Sequence, residues 1–294
     1  MRSLNHPNIL PFLGYTVDKE CVTLVLELSD LGDLFEYSTQ TCTSGVDRAR
    51  LFHQVYPSIL AAASYLESLQ IAHRDIKPEN ILLKSVHTND QITSIQPQLA
   101  DFGWSVWYLK AGAQRSTMCG TPEYVPPEML RGAEEDVPKS SRTFYAAEFV
   151  DPWALGVLAL EMLQGGAPFA APASCPASQV RAKIFTKIRS FERLDHWARK
   201  DLTDLAAAVV SHRGILPRAA TETWKHSRDC PYVSLIDDFL QINPCRRVSA
   251  TECLERHGDL FGAVSLPTPP RPSMRQRRQI FQSNHSTIVP SLIL

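Results

Sequence analysis

Residues 151–164, DPWALGVLALEMLQ, are apolar on nearly every side of a predicted helix. A helix that has no polar face is stable in a folded protein only when other elements cover it on all sides. We therefore expect this segment to be a buried central helix around which the rest of the chain packs. Asp151 is predicted as its N-cap, with Pro152 at the first helical position.

The remaining hydrophobic pattern predicts both strands and helices. Residues 9–28 indicate two strands, roughly 9–16 and 21–27, separated by the polar turn DKE. A short helix is expected from DLGDLFEYS, and a longer one over about 47–69, where apolar residues recur at helical spacing. The segments ILL and QLADF predict short strands on either side of a polar turn, and VRAKIFTKIRSF predicts an amphipathic helix.

The composition narrows the class of protein. The 294-residue chain is 44% apolar and 21% charged, which is typical of a globular protein, and its net charge of −1 gives no global attraction for nucleic acid or anionic membrane. It has no apolar run of transmembrane length and no signal-peptide pattern at its start. Seven scattered cysteines without C-x-x-C spacing, and nine histidines without paired ligand spacing, argue against structural zinc or a disulfide framework. We expect a soluble chain in a reducing intracellular compartment.

The segment HRDIKPEN, residues 73–80, concentrates the functional groups that phosphoryl transfer requires. Asp75 can orient a hydroxyl nucleophile and accept its proton, and Lys77 can reach the transferring phosphate. Asn80 can supply an oxygen to a divalent cation. Asp101, in DFG at the end of a predicted strand, adds a second oxygen ligand of the kind that hard cations prefer.

These two motifs and three further ones resemble the signature set of the protein kinases. HRDIKPEN resembles the catalytic loop, and DFG resembles the magnesium-binding turn. CGTPEYVPPEM, DPWALGV and NPCRRVSATECLERHG resemble later motifs, in the family's order, so the likeness covers residues 1–263 apart from two insertions. It implies an α+β, protein-kinase-like fold with a mainly α-helical C-terminal lobe and a truncated N-lobe of two strands.

Finer features are similar to the Aurora family of Ser/Thr kinases, above all the Trp104-Ser105 pair after DFG, together with RSTMCGT and PPEM. The resemblance implies that Thr117 is an activation-loop phosphorylation site whose phosphate pairs with Arg74. It also implies that Thr121 lies at the substrate floor beside Asp75 and Lys77, a combination that favours serine and threonine acceptors.

The same resemblance assigns further roles. Leu26 corresponds to the gatekeeper, Glu27, Leu28 and Ser29 to the adenine-binding hinge, Leu82 to the floor under adenine, and Asp33 to a ribose contact. Asp33 and Glu79 match positions where basophilic kinases receive substrate arginines, and Asp101 is expected at the nucleotide's metal. The residues implied to be structural are His73, Phe102, Gly103, Glu128, Asp151 and Arg247; Asp151 ties down the catalytic loop, Glu128 pairs with Arg247, and His73 packs on Phe102 without a catalytic role.

The expected domain organisation has three parts. Residues 1–28 form the N-lobe remnant and hinge, and residues 29–263 form the C-lobe with insertions at about 131–148 and 170–231. Residues 264–294 are rich in proline and arginine and are expected to be a disordered basic tail. Cys119 and Cys245 are expected to be buried, inert thiols.

Two functions remain open at this stage. The first is an Aurora-like Ser/Thr kinase that uses ATP and Mg²⁺ in cell division, at the spindle or chromosomes in the nucleus and cytoplasm. It would act on proteins with basic Ser/Thr motifs, without direct contact to nucleic acid or membrane. The second is a non-catalytic pseudokinase or scaffold module.

The second function is favoured by what the sequence lacks. It has no Gly-x-Gly, and its one lysine before Lys77 is Lys19, in a polar turn. Family kinases have a glycine-rich loop, a strand lysine and a helix glutamate, so Met1 is interpreted as an internal methionine of a longer kinase. Since one charge-stabilising donor is worth about 10²–10³ in rate, we expect little turnover from this polypeptide. The docking site of an activating partner is expected to be lost with the small lobe.

Overall fold

The computed structural model describes residues 4–88, 91–108, 114–131, 144–191, 205 and 230–261. The described helices are α1 (Leu34–Thr41), α2 (Gly45–Ser68), α3 (Pro127–Leu130), α4 (Val150–Gln164), α5 (Val180–Phe191), α6 (Pro231–Phe239) and α7 (Ala250–Phe261). The described strands are β1 (Phe12–Val17), β2 (Val22–Leu26), β3 (Ile71–Ala72), β4 (Ile81–Thr88), β5 (Gln91–Leu99), β6 (Val106–Trp107), β7 (Gln114–Arg115) and β8 (Tyr145–Ala146). The predicted basic tail lies outside the described residues.

The apolar segment that opened the sequence argument is α4, and it is the centre of the helical core, as predicted. All of its residues from Val150 to Leu160 are buried. Helices α2 and α6 pack against it, and α7 packs on α2. A Cβ atom at Gly156 would lie 2.7 Å from Cβ of Phe239, so a glycine is required where α6 crosses α4.

The N-terminal strands are confirmed with small shifts in their ends. β1 and β2 pair as an antiparallel ribbon whose side chains are mostly exposed. The ribbon joins the helical part through β5, because the N–H of Leu10 donates to the carbonyl oxygen of Leu99 at 2.9 Å. The N–H of Leu99 in turn donates to Asn8 at 2.9 Å.

The second predicted hairpin differs from expectation in length. β4 and β5 run for 8 and 9 residues, and they pair from Ile81 opposite Leu99 to Thr88 opposite Gln91. The prediction of short strands was wrong, because cross-strand pairing continues through the polar residues that were interpreted as a turn. It was also wrong to include Asp101 and Phe102 in a strand, since Asp101 takes a left-handed conformation, φ 56°, and ends the extended run.

Asp151 is not the N-cap of α4. The helix begins at Val150 with Phe149 as its N-cap residue, and the Asp151 side chain forms no cap hydrogen bond. Its carboxylate instead accepts the backbone N–H groups of His73 at 2.6 Å and Arg74 at 2.7 Å. Tertiary hydrogen bonding therefore overrides the local capping preference that the sequence pattern suggested.

Parts of both predicted insertions are packed into the core. β8 pairs with β7, and Tyr145 is buried. The amphipathic helix predicted in the second insertion is α5, whose Ile184 and Ile188 are buried. Most of the remaining residues of these two segments lie outside the described ranges.

The cysteines are free thiols. Cys119 is buried, as expected, and burial raises its pKa. Cys245 is exposed, so the prediction that it is buried was wrong. It lies in the short 3₁₀ turn Pro244–Arg246, where none of the three residues is buried.

No helix in the described ranges combines the length and the apolar character needed to cross a membrane.

The predicted pair of Arg247 with Glu128 is present and buried. Nη1 and Nη2 of Arg247 donate to the two carboxylate oxygens of Glu128 at 2.6 and 2.7 Å. Nη1 also donates to the carbonyl oxygen of Phe149 at 2.9 Å, and the guanidinium lies 5.0 Å from the ring centroid of Trp153. One side chain thus joins α3, the start of α4 and the turn before α7.

Replacing Arg247 by methionine is expected to lower the free energy of unfolding by about 3–5 kcal/mol, because the Glu128 carboxylate stays buried without its partner. The change can be measured as the shift of the urea unfolding midpoint. Arg256→Met is the matched control: Arg256 pairs with Asp238 at 3.3 Å on an exposed surface, and its loss is expected to cost about 1 kcal/mol or less. Equal shifts for the two variants would contradict the structural role assigned to Arg247.

Candidate active site

Four predicted catalytic residues meet in one cluster, with Asp75, Lys77 and Asn80 on the loop between β3 and β4 and Thr121 on a later segment. Oδ2 of Asp75 accepts from Nδ2 of Asn80 at 2.9 Å, while Oδ1 accepts from the N–H and Oγ1 of Thr121, each at 3.0 Å. Nζ of Lys77 donates to Oγ1 of Thr121 at 2.7 Å and lies 3.4 Å from Oδ2 of Asp75. The sequence motifs containing these residues therefore meet at one carboxylate.

Two backbone features fix this loop against its neighbours. Arg74 has a left-handed backbone, φ 67°, and its N–H is bound by Asp151. Gly120 has φ 81°, and a Cβ there would lie 2.6 Å from the carbonyl oxygen of Arg74. Only glycine allows the chain before Thr121 to approach the catalytic loop so closely.

Asp101 lies beside the same cluster. The N–H of Ala100, the residue before it, donates to the carbonyl oxygen of Asn80 at 2.8 Å. The Asp101 side chain is exposed, and its Oδ1 accepts from the N–H of Gly103 at 3.1 Å. Asn80 and Asp101 are thus brought together by direct backbone contact between the two loops.

His73 is a structural residue of this site. Its ring packs edge-on against Phe102, with ring centroids 4.7 Å apart, and Nε2 lies 2.9 Å from the carbonyl oxygen of Ala100. Nδ1 accepts from the N–H of Asp75 at 3.3 Å. Burial lowers the pKa of His73 to about 4, so the ring is neutral near pH 7 and its Nε2–H is the donor to Ala100.

The oxygen atoms near Asp75 fit a hard divalent cation. Nδ2 of Asn80 donates to both the carbonyl and the carboxylate of Asp75, which leaves the Asn80 side-chain oxygen as the atom able to bind a metal. Asp101 adds an exposed carboxylate. Within the described ranges no three His, Cys, Asp or Glu side chains form a metal cluster by themselves. When Mg²⁺ is also bound to phosphates, the protein usually supplies only one or two of its oxygen ligands.

The predicted hinge residues lie along the β4–β5 hairpin. A carboxylate oxygen of Glu27 accepts from Nζ of Lys84 at 2.6 Å, and the other accepts from Nε2 of Gln98 at 3.0 Å. Oγ of Ser29 donates to Oε1 of Gln98 at 3.0 Å. The side chains of Leu26 and Leu28 are exposed.

Two more residues that were predicted to contact the nucleotide, Asp33 and Leu82, are neighbours through their backbones. Asp33 and Leu82 form an isolated antiparallel bridge. The Asp33 carboxylate also caps α1, because its Oδ1 accepts from the N–H of Glu36 at 2.8 Å. Glu79 is exposed in the turn that follows Lys77.

Arg74 and the backbone of Thr117 are linked by hydrogen bonds through the hydroxyl of Tyr145. Nε of Arg74 donates to the carbonyl oxygen of Trp104 at 2.7 Å, and Nη1 donates to the hydroxyl of Tyr145 at 2.9 Å. That hydroxyl donates to the carbonyl oxygen of Thr117 at 2.7 Å. The Thr117 residue itself is exposed.

Sequence reasoning missed Glu161, which forms an acidic cluster with Glu79 and Glu123. The hydroxyl of Tyr124 donates to Glu161. Burial raises the pKa of Glu161, and the charges of Glu79 and Glu123 raise it further. The sequence could have indicated Glu161, since it is the only charged residue after Asp151 in the apolar segment 151–164.

A cavity of about 360 Å³ adjoins this acidic cluster. It lies between α1, the start of α2 and the end of α4, next to the turn that contains Pro78. Its lining includes Leu34, Cys42, Arg48, Glu161 and Met162.

Comparison with known proteins agrees with this geometry. The chain matches the protein kinase domain over residues 1–257, and it therefore belongs to that family. Among curated proteins it is 40% identical over 210 residues to Aurora kinase A-A of Xenopus laevis, an alignment that covers 71% of this chain and 44% of the relative.

Two further relatives carry the same family name. The chain is 35% identical to an Aurora kinase of Schizosaccharomyces pombe, with 71% of this chain and 51% of the relative aligned. It is 32% identical to Aurora kinase B of Mus musculus, with 74% and 60% aligned. The resemblance to Aurora kinases is confirmed, and the chain spans about half the length of these relatives.

The buried Asp151 carboxylate makes a testable contribution to the pH dependence of stability. Burial raises its pKa from 3.8 to about 6, so the folded state binds a proton more tightly than the unfolded chain does. The contribution of Asp151 to the free energy of unfolding should therefore fall by roughly 3 kcal/mol between about pH 4 and about pH 6, and then level off.

The contribution of Asp151 can be isolated by urea unfolding of the wild-type chain and Asp151→Asn across this pH range. Asparagine does not titrate, so the difference in unfolding free energy between the two proteins follows Asp151 alone. A difference that stays constant with pH would contradict the assignment.

Proposed function

We propose that this chain is the catalytic part of a Ser/Thr protein kinase of the Aurora type, which transfers the γ-phosphoryl group of ATP to protein serine or threonine. The observation that carries the proposal is the hydrogen-bonded cluster of Asp75, Lys77, Asn80 and Thr121 beside Asp101. Its donors and acceptors hold one another in a fixed arrangement, which is the condition for electrostatic catalysis.

Each residue of the cluster has a chemical task. Oδ1 of Asp75 accepts from Thr121 and Oδ2 from Asn80, so the carboxylate is held in one orientation, from which it can accept the proton of a substrate hydroxyl. The ammonium group of Lys77 is held by Thr121 and can stabilise negative charge on the phosphoryl group during transfer. Thr121 thereby fixes the base and the cation relative to each other.

Asn80 and Asp101 are the residues that would hold Mg²⁺ with ATP. When bound, the cation neutralises charge on the phosphates. Leu26, Glu27, Leu28 and Ser29 would contact adenine, with Leu82 beneath the ring and Asp33 near the ribose. The backbone bridge between Asp33 and Leu82 supports a shared nucleotide-facing surface for these last two residues.

We also propose that this polypeptide by itself turns over slowly. It contains no Gly-x-Gly, and Lys19, its one lysine before the catalytic loop, is exposed in the turn between β1 and β2. The second candidate function is a non-catalytic pseudokinase or scaffold module. The intact Asp75 cluster favours the kinase.

The kinase proposal can be tested with the chain alone and with a chimera. In the chimera, a small lobe from an Aurora relative, with its glycine-rich loop and lysine, precedes this chain. We expect the chimera to phosphorylate a serine peptide with Mg²⁺ and ATP at a rate at least about 10² above that of the chain alone. Asp75→Asn in the chimera is expected to lower kcat by about 10²–10⁴, since the general base is removed.

Asp259→Asn, an exposed substitution on α7, is the matched control and should leave kcat unchanged. A folded chimera without activity would favour the scaffold, and an Asp75→Asn chimera with full activity would exclude Asp75 as the base. The nucleotide-binding and catalytic roles are thus tested in a protein that has all the parts that phosphoryl transfer requires.

We further propose that the acidic cluster selects substrates with arginine before the acceptor residue. Glu79 follows Lys77 by two residues and acts electrostatically on Glu161, which lines the 360 Å³ cavity. Carboxylates in such a place can accept bidentate hydrogen bonds from a guanidinium. Asp33 is a further carboxylate for this role.

Replacing Glu79 by glutamine in the chimera should raise KM for an arginine-containing peptide by about tenfold, with a smaller effect on an arginine-free peptide. Glu255→Gln, the same change on exposed α7, is the control for net charge. Steady-state kinetics on the two peptides measure both effects. Equal KM changes for the two peptides would show that Glu79 does not contact arginine.

Regulation and location follow from the same family likeness. We propose that Thr117 is phosphorylated and that its phosphate binds Arg74, whose side chain is linked to the Thr117 backbone through the Tyr145 hydroxyl. An activating partner protein, and a place inside the cell at the spindle or chromosomes, are proposed from the resemblance to Aurora kinases. The net charge of −1 supports protein substrates over nucleic acid or membrane.

A further inference from the structure

Tyr145 lies where three parts of the site meet. It is only 2% exposed, and its hydroxyl accepts from Nη1 of Arg74 at 2.9 Å and donates to the carbonyl oxygen of Thr117 at 2.7 Å. Sγ of Cys119 lies 3.8 Å from the same hydroxyl. One neutral hydroxyl therefore links the catalytic loop to the activation segment, defined here as residues 101–108 and 114–128.

A second contact holds the activation segment to the same short strand. β8 pairs with β7, with Arg115 opposite Tyr145 and Gln114 opposite Ala146. The strand that carries Tyr145 thus holds the activation segment by backbone pairing at 114–115 and by its side chain at Thr117.

The other end of this linkage is firmly fixed. The backbone N–H of Arg74 is bound by Asp151 on α4, and its Nε donates to the carbonyl oxygen of Trp104. Burial raises the pKa of Tyr145 to about 12, so the hydroxyl keeps its proton near pH 7 and remains a donor to Thr117. Hydrogen bonds therefore run from α4 through Arg74 and Tyr145 to the backbone of Thr117.

We propose that Tyr145 is a positioning residue that holds the activation segment against the catalytic loop when Thr117 carries no phosphate. The proposal rests on the function proposed above. A phosphate on Thr117 would form hydrogen bonds with Arg74 in which both partners are charged, and these are stronger than the neutral bond that the Tyr145 hydroxyl donates to the carbonyl oxygen of Thr117. The contribution of Tyr145 is therefore largest in the unphosphorylated chain and becomes partly redundant after phosphorylation.

The test compares local hydrogen exchange in the full chain and in Tyr145→Phe. Phenylalanine keeps the buried ring and removes only the hydroxyl. We expect amide exchange over residues 114–120 to become about tenfold faster, while exchange in α2 and α4 stays the same, because only the local opening equilibrium changes.

Tyr56→Phe is the matched control. Tyr56 is fully buried in α2, and its hydroxyl donates to the carbonyl oxygen of Leu155 at 3.0 Å, so the control loses one hydroxyl–carbonyl bond far from the activation segment. It should change exchange in α2 and α4 without a selective effect on residues 114–120. If Tyr145→Phe raises exchange by the same factor throughout the chain, the residue is merely structural and the proposal is overturned.

A second experiment tests the role of Tyr145 separately from the proposed phosphorylation of Thr117. In it, phosphothreonine is incorporated at position 117 by genetic code expansion. In Tyr145→Phe it should restore the protection of residues 114–120, whereas in the wild-type chain it should add less than about twofold. If Tyr145→Phe selectively loses protection of residues 114–120 and phosphothreonine does not restore it, the role of Tyr145 is supported and the pairing of phosphothreonine with Arg74 is contradicted. Unchanged exchange over 114–120 in Tyr145→Phe overturns the inference whatever the phosphate does.

Discussion

The buried Asp151 carboxylate connects the central helix to the loop that carries the proposed catalytic residues. Burying a carboxylate is unfavourable, and the raised pKa of Asp151 reflects that cost. The cost is offset by two short hydrogen bonds from successive backbone amides, His73 and Arg74. Because these two N–H groups point at one side chain, the backbone at Arg74 is held in a left-handed conformation, and the following Asp75 is directed toward Asn80 and Thr121.

The same anchor reaches the other loops through short contacts. His73 is hydrogen bonded to Ala100, and this contact fixes the start of the DFG turn at Asp101. The carbonyl of Arg74 excludes any side chain at Gly120, which fixes the approach of Thr121. The pair of Arg247 and Glu128 holds the end of the activation segment against the start of α4 through Phe149. Two buried polar anchors near the start of one apolar helix thus position the catalytic loop and three points of the activation segment, while apolar packing provides the rigid support beneath them.

The sequence predicted which residues meet at the site better than it predicted the shape of the elements that carry them. Asp75 and Asn80 could be predicted together because they lie in one short motif whose residue types serve one chemistry. Thr121 could be placed beside them only through the resemblance of its motif to the kinase family. The N-cap role of Asp151 was wrong because local capping preference cannot account for a tertiary contact across 78 residues of sequence. Tyr145 could not be predicted from pattern, since it follows a stretch without hydrophobic periodicity and its partners come from two distant segments. The length of the β4–β5 hairpin could not be predicted either, because its strands pair through polar residues that are typical of a turn.

The position of the proposed hinge depends on that hairpin. A two-stranded ribbon alone is marginally stable in water, and Leu13 and Val17 of β1 are 65% and 64% exposed. The ribbon therefore gains little from its own packing. Its connection to the helical part is fixed by Glu27, which is bound to Lys84 and Gln98, and by the backbone bonds between Leu10 and Leu99. Since β4 begins directly after Asn80 and β5 ends two residues before Asp101, the elements that position the hinge also carry the proposed metal ligands. The proposed adenine-binding and phosphate-binding parts of the site are therefore aligned by one hairpin.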